Sequence, residues 1–266
     1  MQVLITGAAQ GIGKEIAIKF ANEGSNLILC DINEKLLEQT AAEIQQKYTK
    51  INILTSFCDV GDKNSVTAFY QKTKPVKIDI VINNAGVVSG QPFLQLTEEQ
   101  ITRTMKVNLL SFFWINQLIL PQMLERNQGH LVSIASTCGF LSASRLSDYC
   151  ASKHALISAH NSLRLEVLRM RKKVDFTLIC PNTTNTGMFK GVKQKLRALI
   201  PILTPEQVAS AVLDSVKHKK ALVILPKRLT LGAKLMKSEL LPQFVEDFIL
   251  SISGATSGMD TFVGKY

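Results

Sequence analysis

Val3-Leu4-Ile5-Thr6-Gly7-Ala8-Ala9-Gln10-Gly11-Ile12-Gly13 runs from an apolar stretch of strand length, through a glycine-rich turn, into a segment of helical period. Glycines let the backbone turn sharply and approach a bulky anion closely. The N-terminus of the helix that follows offers unpaired N–H groups and the positive end of its dipole. A glycine trio alone is a weak signal, but between a first strand and a first helix it marks a phosphate-binding corner.

Working outward, Val3–Thr6, Asn26–Cys30, Ile51–Phe57, Ile78–Ile82, His130–Ala135, Val174–Cys180 and Ala221–Leu225 read as strands. Each is short, nearly all apolar and bounded by Gly, Asn, Asp or Pro, the pattern of strands buried on both faces. Between them Gly11–Glu23, Glu34–Tyr48, Asp62–Thr73, Glu98–Arg126, Asp148–Met170 and Pro205–Lys217 carry helical period, with Asp62 and Thr204 as N-caps. This alternation predicts an α/β fold, a Rossmann-type doubly wound, seven-stranded parallel sheet flanked by helices. With 266 residues, 46% of them hydrophobic, and no repeat or linker, one domain over 1–266 is expected. The five scattered cysteines form no CxxC or Cys/His cluster, so buried packing is expected of them rather than a disulfide framework or a zinc site. The stretch Leu109–Leu124 falls short of a bilayer span, and a soluble unit is expected.

The second strand ends at Asp31, where a carboxylate can accept hydrogen bonds from both ribose hydroxyls of an adenosine and would repel a 2′-phosphate. Neither Gln10 nor Ile32 offers a cation against that repulsion, although Lys14 is near, so NAD is expected over NADP. A cap on the next helix is the alternative role for Asp31. Gly7, Gln10, Gly11, Ile12 and Gly13 are the expected pyrophosphate loop. Asp59 and Val60 end the third strand and Asn83, Ala85 and Gly86 the fourth, on the edge where ligands bind in such sheets. Asp59 suits an adenine amino group, while Asn83 and Gly86 suit the loop beneath the ribose.

Tyr149 and Lys153 stand four residues apart in one helical pattern and so share a face. A phenol has a pKa of about 10, and a nearby ammonium pulls it down toward a workable acid/base. Ser136, at the end of the strand His130–Ala135, can donate to a substrate oxygen. The Asn108 amide can hold a water linking Lys153 to solvent, or else bond to helix backbone. No Gly-x-Ser-x-Gly elbow and no P-loop is present, and the four histidines lack ligand spacing, which argues against hydrolase, P-loop kinase and metal chemistry.

Taken together, Thr6–Gly13, Asp59, Asn83–Gly86, Asn108, Ser136, Tyr149 and Lys153 resemble the short-chain dehydrogenase/reductase superfamily over almost the whole chain. Asp31-Ile32-Asn33, Asn84–Val88, Tyr149-Cys150-Ala151-Ser152-Lys153, Cys180-Pro181-Asn182, Asn185-Thr186-Gly187 and Met259–Gly264 are similar to a finer subgroup. That subgroup holds the 17-beta-hydroxysteroid dehydrogenases type 11 and 13 and their retinol dehydrogenase relatives. The resemblance implies NAD(P)-dependent interconversion of an alcohol and a carbonyl. In it Tyr149 exchanges the proton, Lys153 lowers its pKa and holds the nicotinamide ribose, Ser136 orients the substrate oxygen and Asn108 completes a relay. Pro181 and Thr186 would meet the nicotinamide. A non-catalytic NAD-binding protein of a lipid-droplet or membrane surface is the competing reading, and the full Ser136/Tyr149/Lys153/Asn108 set favours the enzyme.

The segment after Pro181 is expected to close over the site as a lid near 186–203, lined by Met188, Phe189, Val192, Leu196, Leu199, Ile200 and Ile202. Phe140, Leu141 and Leu146 would face it, which suits a steroid, retinoid or lipid alcohol. The formal net charge is +10. It is concentrated in 190–237, where eleven Lys and Arg meet only Glu206 and Asp214, and a basic region spans 217–237. Lys190, Lys193, Lys195 and Arg197, then Lys227, Arg228, Lys234 and Lys237 beside Leu229, Leu231, Leu235 and Met236, suggest peripheral contact with an anionic lipid surface. Without interleaved aromatics, nucleic acid is not an expected partner. Leu109, Phe112, Phe113, Ile119, Leu156, Leu163, Leu165 and Leu168 are the expected homodimer surface. The subgroup carries a hydrophobic anchor ahead of its first strand. The expected location is therefore the cytoplasmic side, at the endoplasmic reticulum membrane or lipid droplets where such an anchor precedes this chain.

Overall fold

Every apolar run named above becomes a strand. The computed structural model describes residues 1–74, 76–193, 200–232 and 242–264. Its strands are β1 (Gln2–Thr6), β2 (Asn26–Asp31), β3 (Ile53–Phe57), β4 (Ile80–Asn83), β5 (Gly129–Ile134), β6 (Val174–Pro181) and β7 (Leu222–Leu225). All pair in parallel, in the order β3-β2-β1-β4-β5-β6-β7. The order reverses between β1 and β4, which opens a crevice at the carboxyl ends of the strands. Burial on both faces fails at the first edge: Leu54 and Phe57 of β3 are exposed, because an outermost strand has a neighbour on one side only.

The helices are α1 (Gly11–Asn22), α2 (Glu34–Lys47), α3 (Lys63–Thr73), α4 (Glu98–Arg126), α5 (Ser147–Arg169), α6 (Pro205–Lys217) and α7 (Gln243–Ser253). Asp62 caps α3 and Thr204 caps α6 through a reciprocal capping box. No sequence signal had marked α7. Strand alternation sorts the core into two slabs. Val3, Ile5, Leu27, Leu29, Ile80 and Ile82 meet Ile16 and Phe20 of α1, Leu37 and Ile44 of α2, and Val208 and Val212 of α6. On the other face Leu4, Ile28, Val81, Leu131 and Leu178 meet Phe69 of α3, Phe112 and Ile115 of α4, and Leu156 and Ile157 of α5.

The expectation that no segment reaches bilayer length is corrected. α4 continues to Glu98 and is, by length and composition, long and apolar enough to cross a membrane. Half of that stretch lies against the sheet, so packing accounts for its apolar side chains. The expected dimer surface is corrected likewise: Phe112, Ile119 and Leu156 point into the core, whereas Phe113, Leu165 and Leu168 are exposed. The basic block also divides. Lys217, Lys219 and Lys220 precede β7 at the amino end of the sheet and pair with Glu23, Asp175 and Asp214. Lys190, Lys193, Lys227 and Arg228 follow the carboxyl ends of β6 and β7. The expectations for Lys195, Leu196, Arg197, Leu199, Lys234, Leu235, Met236 and Lys237 lie outside the described residues.

Candidate active site

One cavity of about 420 Å³ opens along the carboxyl edge of the sheet, from Asp31 and Asp59 at one end to Leu146, Phe189 and Met259 at the other. Gly7, Gln10, Gly11 and Ile12 line it where β1 turns into α1. Gln10 makes no side-chain cap, so the first N–H groups of α1 are left to face the cavity. Gly7 and Gly11 have positive φ, and a Cβ on Gly13 would sit 2.0 Å from the Gly7 carbonyl oxygen. Gly13 thus works behind the cavity wall, letting α1 close on the turn. These open N–H groups and that glycine cradle fit a pyrophosphate.

Asp31 accepts from the Ala9 N–H at 3.0 Å and the Asn33 N–H at 2.9 Å, and its carboxylate faces the cavity. Asn33, not Asp31, caps α2. Lys14 turns away to Glu43, so it brings no cation beside Asp31. Asp59, Val60, Ala85 and Gly86 also line the cavity. Asn83 does not. Strand alternation aims it under the sheet, where its amide reaches Asn116 Oδ1 at 3.3 Å. The neighbouring Asn84 does the bracing, donating to the carbonyls of Thr6 and Gly7.

Tyr149 and Lys153 project from the first turns of α5 toward Ser136 at the end of β5. Ser136 lies beside the tyrosine hydroxyl and favours its phenolate, while its own Oγ accepts from the Cys138 N–H at 3.1 Å and donates to the Pro181 carbonyl at 3.4 Å. Lys153 Nζ donates to the Ile134 carbonyl at 3.1 Å and lies 5.7 Å from the Tyr149 ring centroid. Burial, ahead of the nearby Cys138 sulfur, pushes the Tyr149 phenol above its ordinary value, so the expected lowering by Lys153 does not prevail in this structure. Burial also pulls the Lys153 ammonium down to about 8. Asn108 sits in a π-turn, Lys106–Leu110, within α4. Its Oδ1 accepts from the Val87 N–H at 2.8 Å, and its Nδ2 donates to the Val87 carbonyl and to Ser152 Oγ. The amide is thus engaged with the loop after β4 and with α5.

Leu141, Leu146, Met188 and Phe189 line the far half, with Pro181 and Thr186 between the halves. Phe189 meets the Tyr149 ring edge-on at 5.8 Å. Phe140 is corrected: it packs into the core beneath α5 and does not line the cavity. Unforeseen are Leu250, Ser253, Gly254, Gly258 and Met259, which roof the cavity from α7 and the tail behind it. Val263 N–H bonds to the Lys190 carbonyl, Lys193 N–H to the Gly258 carbonyl, and Phe262 packs on Gly90, so the tail clasps the segment that follows β6. Arg103, on α4, was also missed, and it pairs with Asp59.

The family model of the short chain dehydrogenases matches residues 1–197. The chain belongs to the short-chain dehydrogenase family. That makes it an NAD(P)-dependent alcohol dehydrogenase or reductase. This short-chain dehydrogenase is 40% identical to short-chain dehydrogenase/reductase family 16C member 6 of Bos taurus, over 85% of the chain and 72% of that protein. It is 35% identical to 17-beta-hydroxysteroid dehydrogenase 13 of Homo sapiens, over 88% and 78% of the two chains. It is 34% identical to retinol dehydrogenase 10-B of Danio rerio, over 84% and 74%. Its fold is similar to that of a short-chain dehydrogenase/reductase from Burkholderia phymatum in complex with NAD. The TM-score is 0.79 at 23% identity, covering 88% of this chain and 92% of that one.

Proposed function

We propose that this short-chain dehydrogenase transfers hydride between NAD and a hydroxyl- or carbonyl-bearing carbon of a large hydrophobic substrate, a steroid, retinoid or lipid alcohol. The observation that carries the reading is Tyr149 beside Ser136, with Lys153 Nζ 5.7 Å from its ring centroid, all three lining a cavity whose end is mostly apolar. NAD, when bound, supplies the hydride acceptor. In the oxidation direction Tyr149 Oη takes the substrate hydroxyl proton, while Ser136 Oγ donates to the same oxygen and fixes its position. Lys153 favours the phenolate by its charge, and Asn108 holds Val87 and Ser152 so that Tyr149 and Lys153 keep their places. Gly7, Gln10, Gly11 and Ile12 hold the pyrophosphate, and Pro181 and Thr186 hold the nicotinamide end. Retinol dehydrogenase and hydroxysteroid dehydrogenase relatives support the substrate class.

The preference for NAD rests on Asp31. Two like charges about 4 Å apart at an effective dielectric near 20 repel by roughly 4 kcal/mol. With Lys14 drawn to Glu43, that repulsion of a 2′-phosphate stands unopposed by Lys14. The protein further associates as a homodimer through Phe113, Leu165 and Leu168. It also touches anionic lipid through the exposed Phe244, Phe248 and Ile252 stripe of α7 beside the cations at the cavity edge.

Incubation with NAD and a panel of retinoid, steroid and long-chain alcohols, following NADH, tests the reading. Turnover of one of them is expected. Tyr149→Phe should lose about a hundredfold to ten-thousandfold of it while binding NAD normally. The phenol starts high, so oxidation should rise with pH as phenolate forms. Lys153→Met should move that rise to still higher pH. Retained turnover in Tyr149→Phe would overturn the assignment.

A further inference from the structure

Asp59 ends β3 with its carboxylate in the cavity, and two other parts of the chain hold it. Arg103 Nη1 donates to both Oδ1 and Oδ2, at 2.9 and 2.8 Å. The Gly61 N–H donates to Oδ1 at 2.8 Å. Arg103 comes from α4, 44 residues away in sequence, and itself lines the cavity beside Asp31, Ile32 and Val60. Its guanidinium rests on Gly61, where a Cβ would meet Nη1 at 2.4 Å.

A carboxylate has about four acceptor positions. Gly61 and Arg103 together fill both on Oδ1 and one on Oδ2. Asp59 lines the cavity, so the last, on Oδ2, is the position left for a ligand, and the Arg103 contacts to both oxygens hold the turn of the carboxylate. A single acceptor of fixed direction at the adenosine end discriminates between bases by their hydrogen-bonding edge. It accepts from an exocyclic amino group and meets a carbonyl oxygen with repulsion.

We propose that Arg103 is a positioning residue for base recognition: by clamping Asp59 it makes the site select an amino-bearing purine over a carbonyl-bearing one. The inference rests on the proposed dinucleotide site and on Asp59 meeting the adenine. Arg103 itself acts through Asp59 and has no part in hydride or proton transfer. The clamp matters because the ion pair is partly open to water, with 40% of the Arg103 side chain and 24% of the Asp59 side chain exposed. Such a pair contributes little to stability. It contributes direction instead: one nitrogen, Nη1, reaches both carboxylate oxygens and so holds the turn of the carboxylate.

Calorimetric titration of the whole protein with NAD and with nicotinamide hypoxanthine dinucleotide reads this directly, without turnover. The unsubstituted protein should bind NAD about tenfold more tightly than the hypoxanthine analogue. Arg103→Gln should bring that ratio close to one. Arg103→Lys keeps the charge but loses the reach and plane of the guanidinium, and should recover only part of the ratio. Asp59→Asn separates the two layers of the argument. If Asp59→Asn abolishes the ratio and Arg103→Gln leaves it intact, Arg103 is a structural tie only and the inference falls. If neither variant changes the ratio, Asp59 does not meet the base and the underlying placement falls with it. Equal weakening of both dinucleotides by Arg103→Gln also overturns the proposal, because a loosened loop has no reason to distinguish bases.

Discussion

Asp31 carries two backbone N–H groups, from Ala9 and Asn33, and still faces the cavity. It therefore braces the glycine turn while staying open to the ribose that the proposed function assigns to it, and a substitution tests that assignment. Asp31→Ala should weaken NAD binding and narrow the gap between NAD and NADP, as read by their dissociation constants. An unchanged preference for NAD would place the selecting residue elsewhere. The residue scale is also where sequence reading reached its limit. Asn83 and Asn84 are neighbours with the same side chain, and strand parity alone sends one beneath the sheet and the other to the glycine turn. That parity was present in the alternation of Ile80, Val81 and Ile82 and was the available signal. Phe140 had no such signal, since it follows a single helical turn whose facing depends on the side chains around it. Nothing local links Arg103 to Asp59, because the pair forms only once α4 lies across the end of β3.

At the scale of elements, strands and helices were legible because each announces itself within a few residues by its period, its caps and its bounding glycines. The π-turn in α4 was not, since Lys106–Leu110 continues a helical pattern and differs only in how its backbone bonds close. The approach of α1 to β4 depends on one missing methyl group. A Cβ at Gly13 would press on the Gly7 carbonyl at 2.0 Å and on Asn84 Nδ2 at 2.7 Å, and the nearer of these is backbone that cannot swing aside. Gly13→Ala should therefore cost about 1–3 kcal/mol, seen as a lower Tm, and should also weaken NAD binding by displacing the turn. Gly232→Ala, where none of the described residues lies within 4 Å, is the control and should leave both unchanged. Equal Tm for the two variants would show that α1 has slack against β4.

At the scale of the whole molecule, two stretches of exposed apolar surface among the described residues bear on assembly and lipid contact. Phe113, Leu165 and Leu168 leave an exposed patch on α4 and α5, and Phe244, Phe248 and Ile252 recur every four residues along α7. Sedimentation at micromolar concentration should give the mass of two chains, with Leu168→Glu shifting it to one; a single-chain mass for the unsubstituted protein would remove the homodimer. Flotation with anionic vesicles at low salt should carry the protein upward and lose it in high salt. The pair Phe244→Asp and Phe248→Asp should abolish the effect, and no flotation of the unsubstituted protein would remove the lipid contact. The two tests are independent, because the patches lie on different helices.

The clasp between the tail and the segment that follows β6 gives this molecule an order in time. β1 to β4 and the turn that cradles the pyrophosphate are all present within the first 86 residues, and they occupy adjoining places in the sheet. The roof of the substrate end waits for α7 and Met259, and its fastening waits for Val263. On a ribosome, the half that grips the nucleotide therefore emerges long before the half that shuts out water. A chain interrupted late in synthesis keeps the glycine turn to which the proposed function assigns the dinucleotide but lacks the wall over the Tyr149 end of the cavity. Such a truncated product is expected to compete for the coenzyme with reduced turnover.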